Sequence, residues 1–374
     1  MTLRGGQIAA VLAVGIVGVL IPGLQPQLLG AFAVEGRLSV AALGSLASVE
    51  LLAMGVAAGA AGFVLPIGRL RAIALVALLA TGLLDMLTPR LDAGGIFAAR
   101  IGAGIGEGVL IWLAIGLVVR AERPERWSGI YLAAQTLAQL ALASGIGLAG
   151  AGSERGFTAL GMVTLAAIAA VGWMPAAFPP LATDSGRSSG MPGAQGILAL
   201  LGVLLYLAFV VAVWVYVEPL ALQRGLSPSA VHLIAPLSLA MQVLGAGTAT
   251  ILAGRLRPRA TIVIVGFVNL GLLVLVARAM SALPFVAATA AFGFLWLFVM
   301  PFQVPAVVAA DRTRRAAVLI GGAQLIGSSL GPFAAGLLIG TTDVVPVLWF
   351  GAACLIVGVA ALVAAGSVRH GHGA

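Results

Sequence analysis

The sequence predicts an all-α membrane protein in which twelve membrane-spanning helices form two similar six-helix halves. Three observations lead to this prediction: an apolar composition, twelve long apolar segments, and arginine-rich motifs that recur half a chain apart. Hydrophobic residues make up 61% of the chain and charged residues 9%, whereas a soluble domain carries roughly 25% charged residues. The composition therefore indicates an integral membrane protein.

Charges, prolines and turn residues divide the chain into twelve apolar segments, and each is near the roughly 20 residues that a helix needs to cross a bilayer. The segments do not alternate between apolar and polar residues, as the strands of a membrane β-barrel do. The first segment lacks a small-residue cleavage site, so it is predicted to be a span rather than a removed signal peptide. The approximate spans, numbered 1 to 12, are 7–33, 38–64, 70–88, 93–119, 128–151, 156–178, 196–219, 229–253, 260–281, 283–308, 316–340 and 344–366.

The basic residues predict the orientation of these spans. All 20 of them are arginines. With the N-terminus inside, fourteen lie in cytoplasmic loops and tails and five in outside loops, which satisfies the positive-inside rule. Both termini are therefore predicted to be cytoplasmic. The net charge of +8 is explained by arginines at anionic lipid headgroups, and no nucleic-acid partner is expected.

The segment "PPLATDSGRSSGMPGAQ" (179–195) is rich in proline, glycine and serine and is predicted to be a flexible cytoplasmic linker. It separates an N-terminal six-helix bundle, residues 1–178, from a C-terminal six-helix bundle, residues 196–374.

Short motifs recur at corresponding positions of the two halves. The tetrapeptide "GRLR" follows the second span of each half, and the two copies are 186 residues apart. The loops after spans 4 and 10 are displaced by 189 residues, as are Gln135 and Gln324. Such matching indicates a parallel internal duplication. The paired segments are 68–71 with 254–257, 121–126 with 310–315, and 34–39 with 217–227.

The "GRLR" loops resemble the loop after the second helix in the major facilitator superfamily, and the resemblance covers essentially the whole chain. That family has a Gly-x-x-x-Asp-Arg-x-Gly-Arg-Arg-like pattern in this loop. Residues 62–71, "GFVLPIGRLR", keep the glycines and arginines but place Pro66 where the acid is expected, and 248–259 also lacks the acid.

The resemblance implies a bacterial-type twelve-helix secondary transporter that moves a small molecule by alternating access. It implies a monomer in the inner membrane, in contact with membrane lipid, without a cofactor. Two interpretations of the loop arginines remain open, namely gating between conformations and a purely topological role. The four arginines concerned are Arg69, Arg71, Arg255 and Arg257.

Ionisable residues inside predicted spans are candidates for function, because each costs roughly 2.5–3.5 kcal/mol at mid-bilayer. Glu50 lies near the middle of span 2 and Glu107 near the middle of span 4, so the two carboxyls are expected at similar depth. Arg100 and Glu107 share a helix face but differ in height by roughly 10 Å. They can therefore meet directly only if both side chains bend, and they are predicted to bracket a proton or substrate site.

Each of these residues also has a structural interpretation. Arg100 can form a bridge with Asp85 near the outer end of span 3, Glu107 can be a protonated packing residue, and Glu50 can make a structural hydrogen bond. The segment "RIGAGIGEG" (100–108) resembles a family motif that begins with arginine and glycines, although Glu107 is not part of that motif. Its alternating glycines indicate close helix packing rather than dinucleotide binding.

Polar side chains on spans 5 and 11 are further candidates. Gln135 and Gln139 are four residues apart, as are Gln324 and Ser328, so each pair can face one direction. They are predicted either to contact substrate or to join helices. The segment "GSSLGPFAAG" (327–336) resembles an antiporter motif of the family but lies in the other half, where a kink at Pro332 and tight packing explain it.

The sequence shows no nucleophile–base signature, phosphate loop or nucleotide-binding domain, so neither an enzyme nor an ATP-driven pump is expected. His232 has no accompanying metal-binding pair, and no metal site is expected. The predicted function is proton-coupled secondary transport of a small organic molecule, with export preferred. Uptake of a metabolite or metal chelate, a lipid scramblase and a non-transporting sensor remain alternatives. Glu107 and Glu50 are the proton-coupling candidates, and the substrate-binding candidates are Arg100, Glu107, Gln135, Gln139 and Gln324.

Overall fold

The computed structural model describes residues 5–118, 124–150, 152–178, 192–252, 254–279, 281–311, 315–340 and 343–367. Every regular element in these ranges is a helix. The fourteen α-helices are α1 Gly5–Val17, α2 Leu20–Val34, α3 Val40–Val64, α4 Leu70–Leu87, α5 Ala93–Val118, α6 Pro124–Leu148, α7 Ser153–Ala166, α8 Ile168–Val171, α9 Ala194–Gln223, α10 Pro228–Leu252, α11 Pro258–Arg278, α12 Ala282–Ala310, α13 Arg315–Gly336 and α14 Pro346–Ser367.

These helices match the twelve predicted spans, with α1 and α2 forming span 1, and α7 and α8 forming span 6. Eleven spans in the described ranges are long and apolar enough to cross a membrane. The remaining helix, α13, has 22 residues, which is also the length of a span. Most of the predicted linker lies outside the described residues, as do residues 121–123 and 312–314 of the two loops at 121–126 and 310–315.

Prolines determine several helix boundaries. Four helices, α6, α10, α11 and α14, begin at a proline, the position where its missing N–H costs nothing. Pro22 cannot donate to the Gly18 carbonyl, and span 1 is interrupted between Val17 and Leu20. Pro219, by contrast, lies inside α9. The predicted end of span 7 at residue 219 is therefore wrong, because this helix continues for another turn after losing one hydrogen bond.

The contacts divide the chain into two compact units. Unit 1 comprises Met1–Leu38 and Val49–Gly186, and unit 2 comprises Ser39–Ser48 and Arg187–Ala374. The start of α3 therefore packs with unit 2, where the Gly44 N–H donates to the Tyr216 hydroxyl at 2.8 Å. Ser329 Oγ also donates to the Ser48 carbonyl at 3.0 Å.

Close helix packing in unit 1 depends on the glycines of α5. A Cβ at Gly104 would lie 2.6 Å from the Glu50 carbonyl oxygen on α3, and one at Gly102 would lie 2.9 Å from Leu84 on α4. Gly108 likewise faces α3, and Gly106 faces α4. Two of these glycines thus allow α5 to pack closely against α3, and the other two allow it to pack closely against α4. This is the close packing that the sequence predicted for the segment.

In unit 2, glycines place α13 against the central helix α9. Gly327 lies against the Leu204 carbonyl, and Gly331 lies against the Ala208 carbonyl, so neither position has room for a Cβ. Tight packing of the 327–336 segment is therefore confirmed.

Candidate functional site

Arg100 lies at the centre of a group of buried charged side chains within unit 1. Its side chain is fully buried, and the Nη1 group donates to Asp85 Oδ1 at 2.6 Å. The Nη2 group donates to Glu50 Oε1 and, at 3.3 Å, to Glu107 Oε1. We call Glu50, Asp85, Arg100 and Glu107 the Arg100 cluster.

Three helices supply this cluster: α3 carries Glu50, α4 carries Asp85, and α5 carries both Arg100 and Glu107. The missing side chain at Gly104 brings the backbone of α3 at Glu50 against α5, which places the Glu50 carboxyl within reach of the guanidinium. On another side the guanidinium carbon lies 5.2 Å from the centre of the Phe157 ring on α7, within cation–π distance.

The cluster leaves hydrogen-bonding capacity unused. Glu50 Oε2, Asp85 Oδ2, Glu107 Oε2 and Arg100 Nε are buried and have no hydrogen-bond partner among the described residues. One guanidinium faces three carboxyls, so a fully ionised cluster would carry a net charge of −2 in a site without water contact. An uncompensated buried charge is expensive, and proton binding by the carboxyls is the direct way to remove it.

These contacts meet the geometric condition that the sequence set for Arg100 and Glu107. Arg100 and Glu107 were expected to contact each other only if both side chains bent along the helix, and the 3.3 Å distance shows that they do. The bridge to Asp85, offered by the sequence as an alternative, coexists with this contact. Glu50 reaches the same guanidinium, so the two glutamates meet at one point as their predicted depths implied.

The predicted glutamines are not brought into the cluster. Gln139 on α6 donates through Nε2 to the Val19 carbonyl at 2.5 Å, in the interruption between α1 and α2. Gln135, one turn earlier, is half-buried and has no hydrogen bond in the described part of the chain. In unit 2, Gln324 Nε2 lies 4.0 Å from the Met300 sulfur on α12. Gln139 therefore joins helices, whereas Gln135 keeps its amide available.

The "GRLR" arginines lie at the surface of their units. Arg71 Nε donates to the Met174 carbonyl at 2.7 Å, within unit 1. The Leu70 N–H donates to the Ala176 carbonyl at 3.0 Å, so this loop is tied to the segment after α8. The side chains of Arg69, Arg255 and Arg257 are exposed. In the described ranges no group of three or more His, Cys, Asp or Glu side chains could hold a metal ion.

Comparison with known proteins identifies the architecture. No protein-family profile and no curated protein sequence matches the chain. A crystal structure of the nucleoside transporter NupG, in a mutant form, matches with a TM-score of 0.71 at 12% identity, over 96% of this chain and 99% of that one. A bacterial homologue of the human lysosomal transporter Spinster, inward-facing and occupied, matches with a TM-score of 0.60 at 15% identity, over 97% of this chain and 94% of that one.

The chain has the major facilitator fold. The resemblance found in the sequence is thereby confirmed at the level of the fold, and the protein is a multi-pass integral membrane protein. Both neighbours are named as transporters.

Three polar residues of this major facilitator fold were missed by the sequence reasoning. Glu218 in α9 is 6% exposed, and its Oε1 has no hydrogen-bond partner in the ranges that the structure describes. Gln25 in α2 and Gln303 in α12 are fully buried, and within the described part of the chain neither residue has a hydrogen bond to its amide oxygen or nitrogen. Each of the three lies within two residues of a proline, and a polar residue close to a proline within an apolar run is the signal that could have found them.

Proposed function

We propose that this protein is a proton-coupled secondary transporter of the inner membrane that moves a small organic molecule by alternating access, with export preferred. The fold supports membrane transport, because both structural neighbours are named as transporters. The observation that supports proton coupling is the excess of carboxyls over cations in the Arg100 cluster.

In the proposed cycle, Glu107 binds and releases the coupling proton. Its 3.3 Å contact is longer than the Asp85 contact of 2.6 Å, so the guanidinium can keep Asp85 and Glu50 as partners while Glu107 is neutral. When Glu107 ionises, it competes for the same guanidinium. Proton transfer therefore redistributes the contacts that tie α3, α4 and α5 together, which provides a link between protonation and helix packing.

Cargo contacts belong to the same proposal. Arg100 and Glu107 contribute through the charge state of the cluster, and Gln135 and Gln324 provide amides that no strong hydrogen bond occupies. Gln139 is less suited, because the Val19 carbonyl already engages its amide nitrogen. The loop arginines Arg69, Arg71, Arg255 and Arg257 are proposed to bias the equilibrium between conformations.

The test uses purified protein in proteoliposomes with a trapped pH-sensitive dye and a panel of small organic cargoes. The panel begins with nucleosides, because one structural neighbour is a nucleoside transporter. We expect Glu107→Gln to retain cargo binding, measured by thermal shift, and to lose transport driven by a pH gradient, while exchange without net proton movement persists. The matched control is Glu154→Gln, since Glu154 is 70% exposed in its side chain.

Glu50→Gln is the comparison at similar depth, and we expect it to have a smaller effect than Glu107→Gln. If Glu50→Gln abolishes pH-driven transport while Glu107→Gln keeps the wild-type pH dependence, the proton site is on α3 and the assignment to Glu107 is wrong. If cargo moves in the same direction as the protons, rather than in the opposite direction, the proposed export is wrong and the protein is an uptake transporter. Proton-independent lipid movement without cargo flux would favour a scramblase.

A further inference from the structure

Each half of the chain has an apolar groove that begins at its "GRLR" motif. In unit 1 the groove lies between α4 and α5, has a volume of about 440 Å³, and has Arg69 at its rim. Its bed is formed by apolar side chains of both helices, among them Ile73, Val76, Ile105 and Val109. Val76 and Ile105 are 67% and 51% exposed, so the groove opens onto the face of the helices that meets lipid tails.

The second groove lies between α11 and α12 in unit 2 and has a volume of about 500 Å³. Arg257 and Arg259 line it at the start of α11, and Pro305, Ala306 and Ala309 line it on α12. The helices α4 and α5 are the third and fourth spans of their half, and α11 and α12 hold the same places in the other half. An arginine of the "GRLR" motif thus lies beside a groove in each half, although Arg69 is the second residue of its motif and Arg257 the fourth.

The cations at these grooves are available for a ligand. Arg69 and Arg257 are exposed, and neither side chain makes an ion pair in the described part of the chain. Pro66 lines the first groove beside Arg69 and brings no negative charge to it. An exposed guanidinium next to an apolar bed matches one kind of molecule, which has an anionic head and a hydrocarbon tail.

We propose that each groove binds one anionic phospholipid, with an acyl chain on the apolar bed and the phosphate at the arginines of the "GRLR" loop. Guanidinium groups suit this role because their N–H groups bind phosphate oxygens in pairs. The proposal goes beyond the transport function and does not depend on proton coupling. It gives the repeated tetrapeptide a ligand in each half.

A third groove provides an internal comparison. It lies between α11 and α14, has a volume of about 500 Å³, and is lined only by apolar residues such as Phe267, Leu270 and Ile356. Because no charged side chain lines it, this groove accepts acyl chains without distinguishing headgroups. Selectivity for anionic lipid is thus specific to the two arginine-lined grooves.

The test is native mass spectrometry of the full-length protein titrated with phosphatidylglycerol or phosphatidylcholine of identical acyl chains. We expect two phosphatidylglycerol molecules to bind more tightly than any phosphatidylcholine. Arg69→Gln should weaken one of the two sites about fivefold, the value of one interfacial arginine. Arg257→Gln combined with Arg259→Gln should weaken the other site by more. Arg278→Gln, an exposed change at the other end of α11, is the matched control and should change neither site.

A second variant separates lipid from free phosphate. Ala72 lines the first groove and is exposed, so Ala72→Phe fills the groove without changing charge and should also weaken the first site. Inorganic phosphate should not displace the bound lipid. Equal binding of the two lipids by the wild type, binding unaffected by both Arg69→Gln and Ala72→Phe, or displacement by inorganic phosphate would each overturn the proposal.

Discussion

At the scale of the residue, Arg100 determines whether its surroundings tolerate charge. It is fully buried and is in contact with three carboxyl groups. Removing one partner of a buried ion pair destabilises a protein by more than the intact pair stabilises it, because the other charge is left uncompensated. Here one substitution would leave three carboxyls without their cation.

We therefore expect Arg100→Gln to destabilise the protein by about 3–5 kcal/mol at neutral pH. This loss of stability should become smaller as the pH falls, because protonated carboxyls need no cation. Denaturation in detergent as a function of pH measures both effects. Arg90→Gln is the matched control, since the Arg90–Glu154 pair is 3.6 Å apart and largely exposed, and it should cause little change. A deficit that is constant from acidic to neutral pH would contradict this account.

The members of the Arg100 cluster could be named from the sequence, because an ionisable residue in an apolar span stands out by itself. Their contacts could not. Glu107 is seven residues from Arg100, and the direct contact depends on bending of two long side chains, which spacing does not reveal. Glu218 was missed because the helix was ended at Pro219, which left the glutamate at a predicted boundary.

At the scale of the element, the end of span 1 and the end of span 7 are each hydrogen-bonded to the start of another helix. Glu35 Oε1 accepts the Ser153 N–H at 2.6 Å at the start of α7, and Gln223 Oε1 accepts the Val344 N–H at 2.8 Å before α14. Gln223 and the Val345 N–H both donate to the exposed Asp343 carboxyl, and these hydrogen bonds lower the pKa of Asp343. The sequence indicated the repeat, but not that both copies serve as anchors for another helix.

The packing of α3 against α5 leads to a prediction at the same scale. Gly104→Ala would bring a methyl group within 2.6 Å of the Glu50 carbonyl oxygen. Since backbone atoms must move, we expect a loss of about 1–3 kcal/mol and weaker pH-driven transport, because Glu50 is displaced from Arg100. Gly59→Ala is the matched control, since a Cβ there meets open space. It should not lower the stability, because alanine is favoured over glycine inside a helix, and it should leave pH-driven transport unchanged. Equal melting temperatures for the two variants would show that α3 and α5 are not in close contact.

At the scale of the whole molecule, the duplication is visible in the backbone as well as in the sequence. Gly36 and Gly225 have φ values of 69° and 73°, and each lies between the first and second spans of its half. They are 189 residues apart, the displacement that also relates the loops after spans 4 and 10. Only glycine adopts this left-handed backbone readily, so the same turn has been kept in both halves.

The orientation of the molecule in the membrane is the last prediction. The distribution of arginines predicts that the loop before α4 is cytoplasmic and the loop after it is outside. Gly68 precedes α4 and Gly94 follows it, and both positions have room for a side chain, because a Cβ at either would meet no atom closer than 3.9 Å. In a background of Cys354→Ala, which removes the only cysteine, Gly94→Cys should react with an impermeant thiol reagent in intact cells. Gly68→Cys should react only after the membrane is permeabilised. The reverse pattern would invert the topology and place both the "GRLR" loops and their proposed lipid sites in the outer leaflet.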